Sequence, residues 1–122
     1  MYTYEYLEEF TCNVFKKMGC PAEDAQLATD VFMAAELRGL PSHGMIRIKD
    51  YFELWQAKRI NVRPNIRIVH ESPSTAVVDG DGAIGMIAAS KSMQIAIDKA
   101  ETAGAILKNM GRNKNDCCFC NP

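Results

Sequence analysis

Arg59-Ile60-Asn61-Val62-Arg63-Pro64-Asn65-Ile66-Arg67-Ile68-Val69 is where the character of the chain changes. Before it, apolar residues recur every three or four positions; after it, short β-branched runs follow one another. A helical period that gives way to a strand period across a turn-rich, proline-containing link places two kinds of structure in one chain. The expected fold class is mixed α/β (α+β). A helical amino-terminal subdomain over 1–60 is followed by the strand-strand-helix opening of a mixed-sheet domain over 61–106 and a polar, cysteine-rich tail over 107–122.

Upstream of the link, Leu7, Phe10, Val14 and Met18 lie on one face of a helix from Tyr4 to Met18, which Gly19 is placed to end. Pro21 fits a first helical turn, and Glu23 and Asp24 follow it at the positive helix end. The stripe of that second helix is Ala28, Val31, Phe32 and Ala35, with Gly39 as its stop. Ser42 is a suitable N-cap for a third helix bearing Met45, Ile48, Phe52 and Trp55.

Downstream, Ile66–Val69 and Thr75–Val78 read as two short strands around Ser72-Pro73-Ser74. Asp79-Gly80-Asp81-Gly82 is turn chemistry, and Met86, Ala89, Met93, Ile97 and Ala100 mark a fourth helix to about Ala103, ended by Gly104. Ala105-Ile106-Leu107 should then launch a buried strand. The polar run Lys108–Asp116 predicts that it dissolves after three residues.

Composition bounds the function. With 14 Lys+Arg against 15 Asp+Glu, no basic field argues for nucleic acid or an anionic membrane. The longest uncharged apolar runs, such as Ala83–Ala89, fall far short of the roughly 18–20 residues of a membrane span. Met1-Tyr2-Thr3-Tyr4-Glu5 lacks the basic start and apolar core of a signal peptide, so a soluble, cytoplasmic protein is expected. Five cysteines cannot all pair; Cys12 and Cys20 read as small buried hydrophobes. Cys117, Cys118 and Cys120 could ligate zinc only with a second ligand pair that the sequence does not supply, so no metal is expected.

Two constellations could carry chemistry. In Ser42-His43-Gly44-Met45-Ile46-Arg47, the N-cap reading puts His43 in a first helical turn, with Arg47 four residues on along the same face. A histidine to move a proton and an arginine fork to hold a carboxylate are the minimum for chemistry on a 2-oxo or 2-hydroxy acid. The plainer reading is a polar helix start facing water. Gly80-Asp81-Gly82-Ala83-Ile84-Gly85 has the spacing of a dinucleotide-binding glycine loop. However, Asp81 would oppose a phosphate, and Asp98 and Glu101 fall inside a helix rather than at a strand end. A tight structural turn is the better reading. His70 reads as a half-exposed strand residue.

The run Glu36-Leu37-Arg38-Gly39-Leu40-Pro41-Ser42-His43-Gly44-Met45-Ile46-Arg47, with Tyr51 after it, resembles the signature of the non-Rossmann malate/L-lactate dehydrogenase family, which includes ureidoglycolate and sulfolactate dehydrogenases. Val78-Asp79-Gly80-Asp81-Gly82-Ala83-Ile84-Gly85 and the helix with Met93, Ala96 and Ile97 are similar to that family's second block. Pro41 departs from the acidic residue more usual there. The resemblance covers residues 4 to 106. It implies an NAD- or NADP-dependent oxidoreductase of 2-hydroxy/2-oxo acids, as a homodimer without a Rossmann fold. In it His43 is the proton donor/acceptor, Arg47 binds the substrate carboxylate, Ser42 lines the pocket, and the cofactor-binding residues are unassigned. Family members are much longer, so the sequence reads as an amino-terminal fragment, truncated or frame-shifted after Leu107, without most of the cofactor site and inactive alone. The alternative is a small helical protein-interaction module without catalysis.

Overall fold

The structure, a computed structural model, describes residues 1–103 and the backbone of residues 107–110. It divides into two compact units, Met1–Arg63 and Pro64–Pro122. In the first, three helices succeed one another: α1 (Tyr4–Lys17), α2 (Ala22–Leu37) and α3 (Ile48–Gln56). Two short 3-10 turns, Pro41–His43 and Met45–Arg47, precede α3.

Each helix of this unit closes in the same way. After α1, the Gly19 N–H donates to Lys16 O and the Cys20 N–H to Phe15 O. After α2, the Gly39 N–H donates to Glu36 O and the Leu40 N–H to Ala35 O. Gly19 and Gly39 have φ of 99° and 67°, the left-handed conformation that this closure needs and that glycine adopts without a Cβ penalty. After α3, Lys58 takes the same position at φ 55°, with the Lys58 N–H on Trp55 O and the Arg59 N–H on Leu54 O. The core is aromatic. Phe15 and Phe32 stack at 5.8 Å, and Tyr51 meets Phe32 edge-on at 5.7 Å, an arrangement that ring quadrupoles favour.

The predicted face of α1 is rotated. Thr11, Cys12, Phe15 and the capping Met18 are buried, whereas Phe10 is 48% exposed. A buried Thr11 is tolerated because its Oγ1 donates to Leu7 O, as Thr29 Oγ1 does to Ala25 O in α2. The third helix also starts later than its sequence predicts, at Ile48 rather than after Ser42. Its buried residue is Tyr51, and Phe52 is exposed.

The second unit holds β1 (Arg67–Glu71), β2 (Thr75–Asp79), α4 (Gly85–Ala103) and β3 (Leu107–Met110). The sheet order is β1-β2-β3, antiparallel between β1 and β2 and parallel between β2 and β3. This is a mixed sheet, not the parallel sheet of a Rossmann unit. Residues 72–74 close the hairpin; the Thr75 N–H donates to Ser72 Oγ, and the Ser72 N–H to Thr75 O. The pairing shifts register between Ile68 and His70, a bulge at Val69.

Helix α4 packs on β2 and β3. Its buried face is Met86, Ile87, Ala88, Ser92 and Ala96, while Met93 and Ile97 of the predicted stripe are 50% and 45% exposed. Lys99 reaches from this helix to Ser72 O and Glu71 Oε2, both at 2.9 Å. The backbone of β3 pairs through Met110, beyond the expected end of that strand at Leu107. Ladder bonds come from the main chain, so a polar run can form them. The predicted stop at Gly104 and the cysteines at 117, 118 and 120 lie outside the described residues. Among the described residues, no helix is long and apolar enough to cross a membrane.

Candidate active site

The segment from Glu36 to Tyr51 begins at the end of α2. The Gly39 closure turns the chain out of the helix, and Pro41, with its fixed φ, opens the first 3-10 turn. Ser42 and His43 are exposed on that turn. Gly44 then breaks it with an extended backbone (φ −98°, ψ −144°) before the second turn begins. The expected N-cap role of Ser42 is therefore corrected. His43 sits in a three-residue 3-10 turn ahead of α3, not at the positive end of an α-helix. The helical spacing expected between His43 and Arg47 does not apply across Gly44 either.

Ser42 nevertheless draws the three predicted residues together. Its Oγ lies 2.9 Å from His43 Nδ1, and its carbonyl accepts from Arg47 Nε at 3.0 Å. In the tautomer where the hydroxyl donates to Nδ1, the proton of the ring is on Nε2; in the other, Nδ1–H donates and Nε2 is an acceptor. Either way, the contact with Ser42 restrains the ring through Nδ1. Arg47 is half-buried, and its Nη1 donates to Asp50 Oδ2 at 2.9 Å. This pair is partly solvated on both sides, and such pairs contribute only about 0–1 kcal/mol. An incoming carboxylate with bidentate geometry can therefore compete with Asp50 for the guanidinium.

Two residues that the sequence reading gave no role shape this segment. Glu36 accepts the Met45 N–H at 2.8 Å on Oε1. A Cβ at Gly44 would fall 2.6 Å from Glu36 Cδ and 3.0 Å from its Cγ, so the glycine makes room for the carboxylate. Asp50 follows Arg47 by three positions, a spacing that marks ion pairs on helical turns and could have been found from sequence. The Glu36–Gly44 approach joins positions too far apart for any local rule to reveal.

The glycine run after β2 does not make a phosphate cradle. Asp81 and Gly82 both have positive φ (49° and 69°), and the Ala83 N–H donates to Gly80 O at 2.9 Å, closing a tight turn. The Asp81 N–H is taken by Asp79 Oδ1, and Asp81 Oδ2 accepts the Asn65 N–H. The Asp81 and Ala83 amides are engaged within the turn, and the turn carries the Asp81 carboxylate, of like charge to a phosphate, so it does not fit a pyrophosphate. Among the described residues, no cluster of three or more His, Cys, Asp or Glu could hold a metal.

A family model described as malate/L-lactate dehydrogenase matches residues 2–117 of this chain. The chain belongs to that family. The L-sulfolactate dehydrogenase of Methanocaldococcus jannaschii is 46% identical over 92 residues, covering 75% of this chain and 27% of the relative. The malate dehydrogenase of Pyrococcus horikoshii is 38% identical over 109 residues, 89% of this chain and 30% of the relative. The solved structure of the M. jannaschii sulfolactate dehydrogenase superposes with a TM-score of 0.85 at 40% identity, over 88% of this chain and 31% of that one. The chain thus spans less than a third of the length of these relatives, and the mixed α/β fold is the one it shares with them.

Proposed function

We propose that this chain supplies the substrate-side residues of an NAD- or NADP-dependent oxidoreductase that interconverts 2-hydroxy and 2-oxo acids of the malate or lactate type. The supporting observation is the Ser42 hub, which fixes a proton carrier and a guanidinium on one short backbone segment. His43 exchanges a proton with the substrate oxygen through Nε2, Arg47 binds the carboxylate, and Ser42 lines the pocket while restraining the imidazole. The nicotinamide supplies or takes the hydride; the residues that hold it stay unassigned, because the glycine run after β2 does not fit it. Family membership and the names of the relatives support the substrate class. A cytoplasmic homodimer belongs to the same reading.

The 122-residue chain alone is expected to show no NAD(P)H-dependent reduction of oxaloacetate or pyruvate. The test of roles is a chimera in which residues 1–103 replace the matching stretch of the M. jannaschii enzyme. There His43→Ala should lower kcat by about 10²–10⁴, because a general acid acts in the transition state. Arg47→Lys keeps the charge, loses the fork and should chiefly raise KM. Unchanged melting of both variants separates these effects from damage to the helix. Near-normal kcat for His43→Ala between about pH 5 and 9 would overturn the assignment.

A further inference from the structure

We infer that Glu36 is a positioning residue: its carboxylate, seated against Gly44, sets the backbone break that holds Ser42, His43 and Arg47 in their mutual arrangement. The inference rests on the roles proposed above for its functional consequence, and on separate geometry for its substance. Glu36 lies in the last turn of α2, just before the left-handed Gly39 closes that helix. Its Oε1 instead accepts the Met45 N–H, the first amide after the break, at 2.8 Å. A charge-assisted bond to a main-chain amide is stronger than a neutral one, and here it pins the start of the second 3-10 turn.

Steric fit supports the same conclusion. The space occupied by Glu36 Cγ and Cδ is the space that a Cβ at position 44 would need. Gly44 has no positive φ to explain its identity, so the close approach of Glu36 does. The two residues form an interlocked pair: the carboxylate holds the break, and the missing side chain admits the carboxylate. Beyond the break, Arg47 turns back to place Nε on Ser42 O, closing a loop from residue 42 to residue 47 around Gly44. Ser42 Oγ then restrains the His43 ring. Removing the Glu36 anchor frees Met45, and with it the Arg47 contact that defines the loop.

The test uses NMR of the full 122-residue chain and needs no turnover, so its failure is distinct from failure of the catalytic roles. The signals read are exchange of the Met45 amide, exchange of Arg47 Nε–H and the nitrogen shifts of the His43 ring, with the Phe15 amide as a control on α1. Glu36→Ala should speed Met45 and Arg47 Nε–H exchange by about tenfold or more and move the His43 ring shifts, leaving Phe15 unchanged. Glu36→Gln keeps an Oε1 acceptor and should restore all three signals toward the parent. Gly44→Ala should reproduce the Glu36→Ala pattern by expelling the carboxylate, and it decides the matter alone if Glu36→Ala unfolds the chain. The inference is overturned if Glu36→Ala or Gly44→Ala leaves the Arg47 and His43 signals in place, or if Glu36→Gln behaves as Glu36→Ala does.

Discussion

The two units of this molecule differ in what their cores are built from: aromatic rings in the first and aliphatic side chains in the second. In the helical unit Phe15 and Phe32 are fully buried, Tyr51 nearly so, and every helix ends on a hydrogen-bonded closure. In the strand unit Val78, Ile84, Met86 and Ile87 are buried, all five residues of β1 are exposed, and α4 presents Met93 and Ile97 outward. The candidate site belongs to the first kind. Glu36, Gly44, Ser42 and Arg47 hold one another within a dozen residues, with Tyr51 as a root in the aromatic core. The difference teaches that a short self-contained stretch rooted in a few stacked rings can hold its own geometry, even though Phe10, Leu40 and Ile46 of the same unit stay exposed.

The most direct way to break this comparison is to remove its centre. Phe32→Ala deletes a fully buried ring that touches both Phe15 and Tyr51, and should cost about 3–5 kcal/mol, comparable to the whole stability of a small unit. Hydrogen exchange measured segment by segment checks it. Protection in α1, α2 and α3 should collapse while the β1–β2 hairpin keeps its own. Equal loss in the hairpin would show that the units do not stand separately.

The kinds of element were legible because helical and strand periods are properties of a short window. Tyr4–Lys17, Ala22–Leu37, the hairpin and α4 all lie close to where their periods place them. The buried faces were less legible. A reading that counts apolar residues passes over Thr11, Thr29 and Ser92, whose hydroxyls each donate to the carbonyl four residues back and so enter the core at little cost. Apolar spacing alone therefore predicts Phe10, Met93 and Ile97 on buried faces, and they lie outside. For the site, the residue types were legible and their geometry was not. A serine before a helical period reads as an N-cap, and only the contact between Glu36 and Gly44 shows that the α-helix waits until Ile48.

Cys20 sharpens the comparison from the chemical side of the helical core. Burial pushes its thiol up from 9.0 to about 11, with the Asp24 carboxylate adding to the shift. The raised value favours the neutral thiol in the folded state. The associated stability is complete below about pH 9 and falls away as the pH rises through about 11. A shift of two units means roughly a hundredfold less thiolate at neutral pH than an ordinary thiol has, so alkylation by iodoacetamide should be slower by at least that factor. Asp24→Asn should recover a minor part of the rate. Alkylation at the rate of a free thiol in the folded chain would mean that this end of the core is open.

The helix closures give a smaller, paired test. Nothing lies within 4 Å of a Cβ placed on Gly39, so Gly39→Ala should cost only the left-handed backbone, about 1 kcal/mol. Lys58 already bears that cost at φ 55°. Lys58→Gly should relieve it and raise stability by about 0.5 kcal/mol after the extra freedom of glycine in the unfolded chain is counted. Thermal melting reads both. Opposite signs are expected, and a loss in Lys58→Gly would mean that the lysine side chain, not the backbone, holds the end of α3.

The smallest effect belongs to the strand unit. Asp79, at the end of β2, is held below its ordinary 3.8 first by the Asp81 N–H on Oδ1, and then by Arg67 across the hairpin at 3.2 Å. A lowered carboxylate value stabilises the folded state above about pH 3.8, and that contribution is lost as the pH falls through the lower folded value. Because the group is solvent-exposed, the change in stability should be slight, and the sharper observable is the titration of its carboxyl carbon by NMR. Salt at 1 M shortens the screening length to about 3 Å and should weaken the Arg67 share while sparing the amide bond. Arg67→Ala should likewise return only a minor part of the depression, since the amide of the Gly80–Ala83 turn remains. A full return to 3.8 in Arg67→Ala would mean that the cross-strand pair, rather than the turn, orders this edge, and the glycine run would lose its reading as a self-closing structural turn.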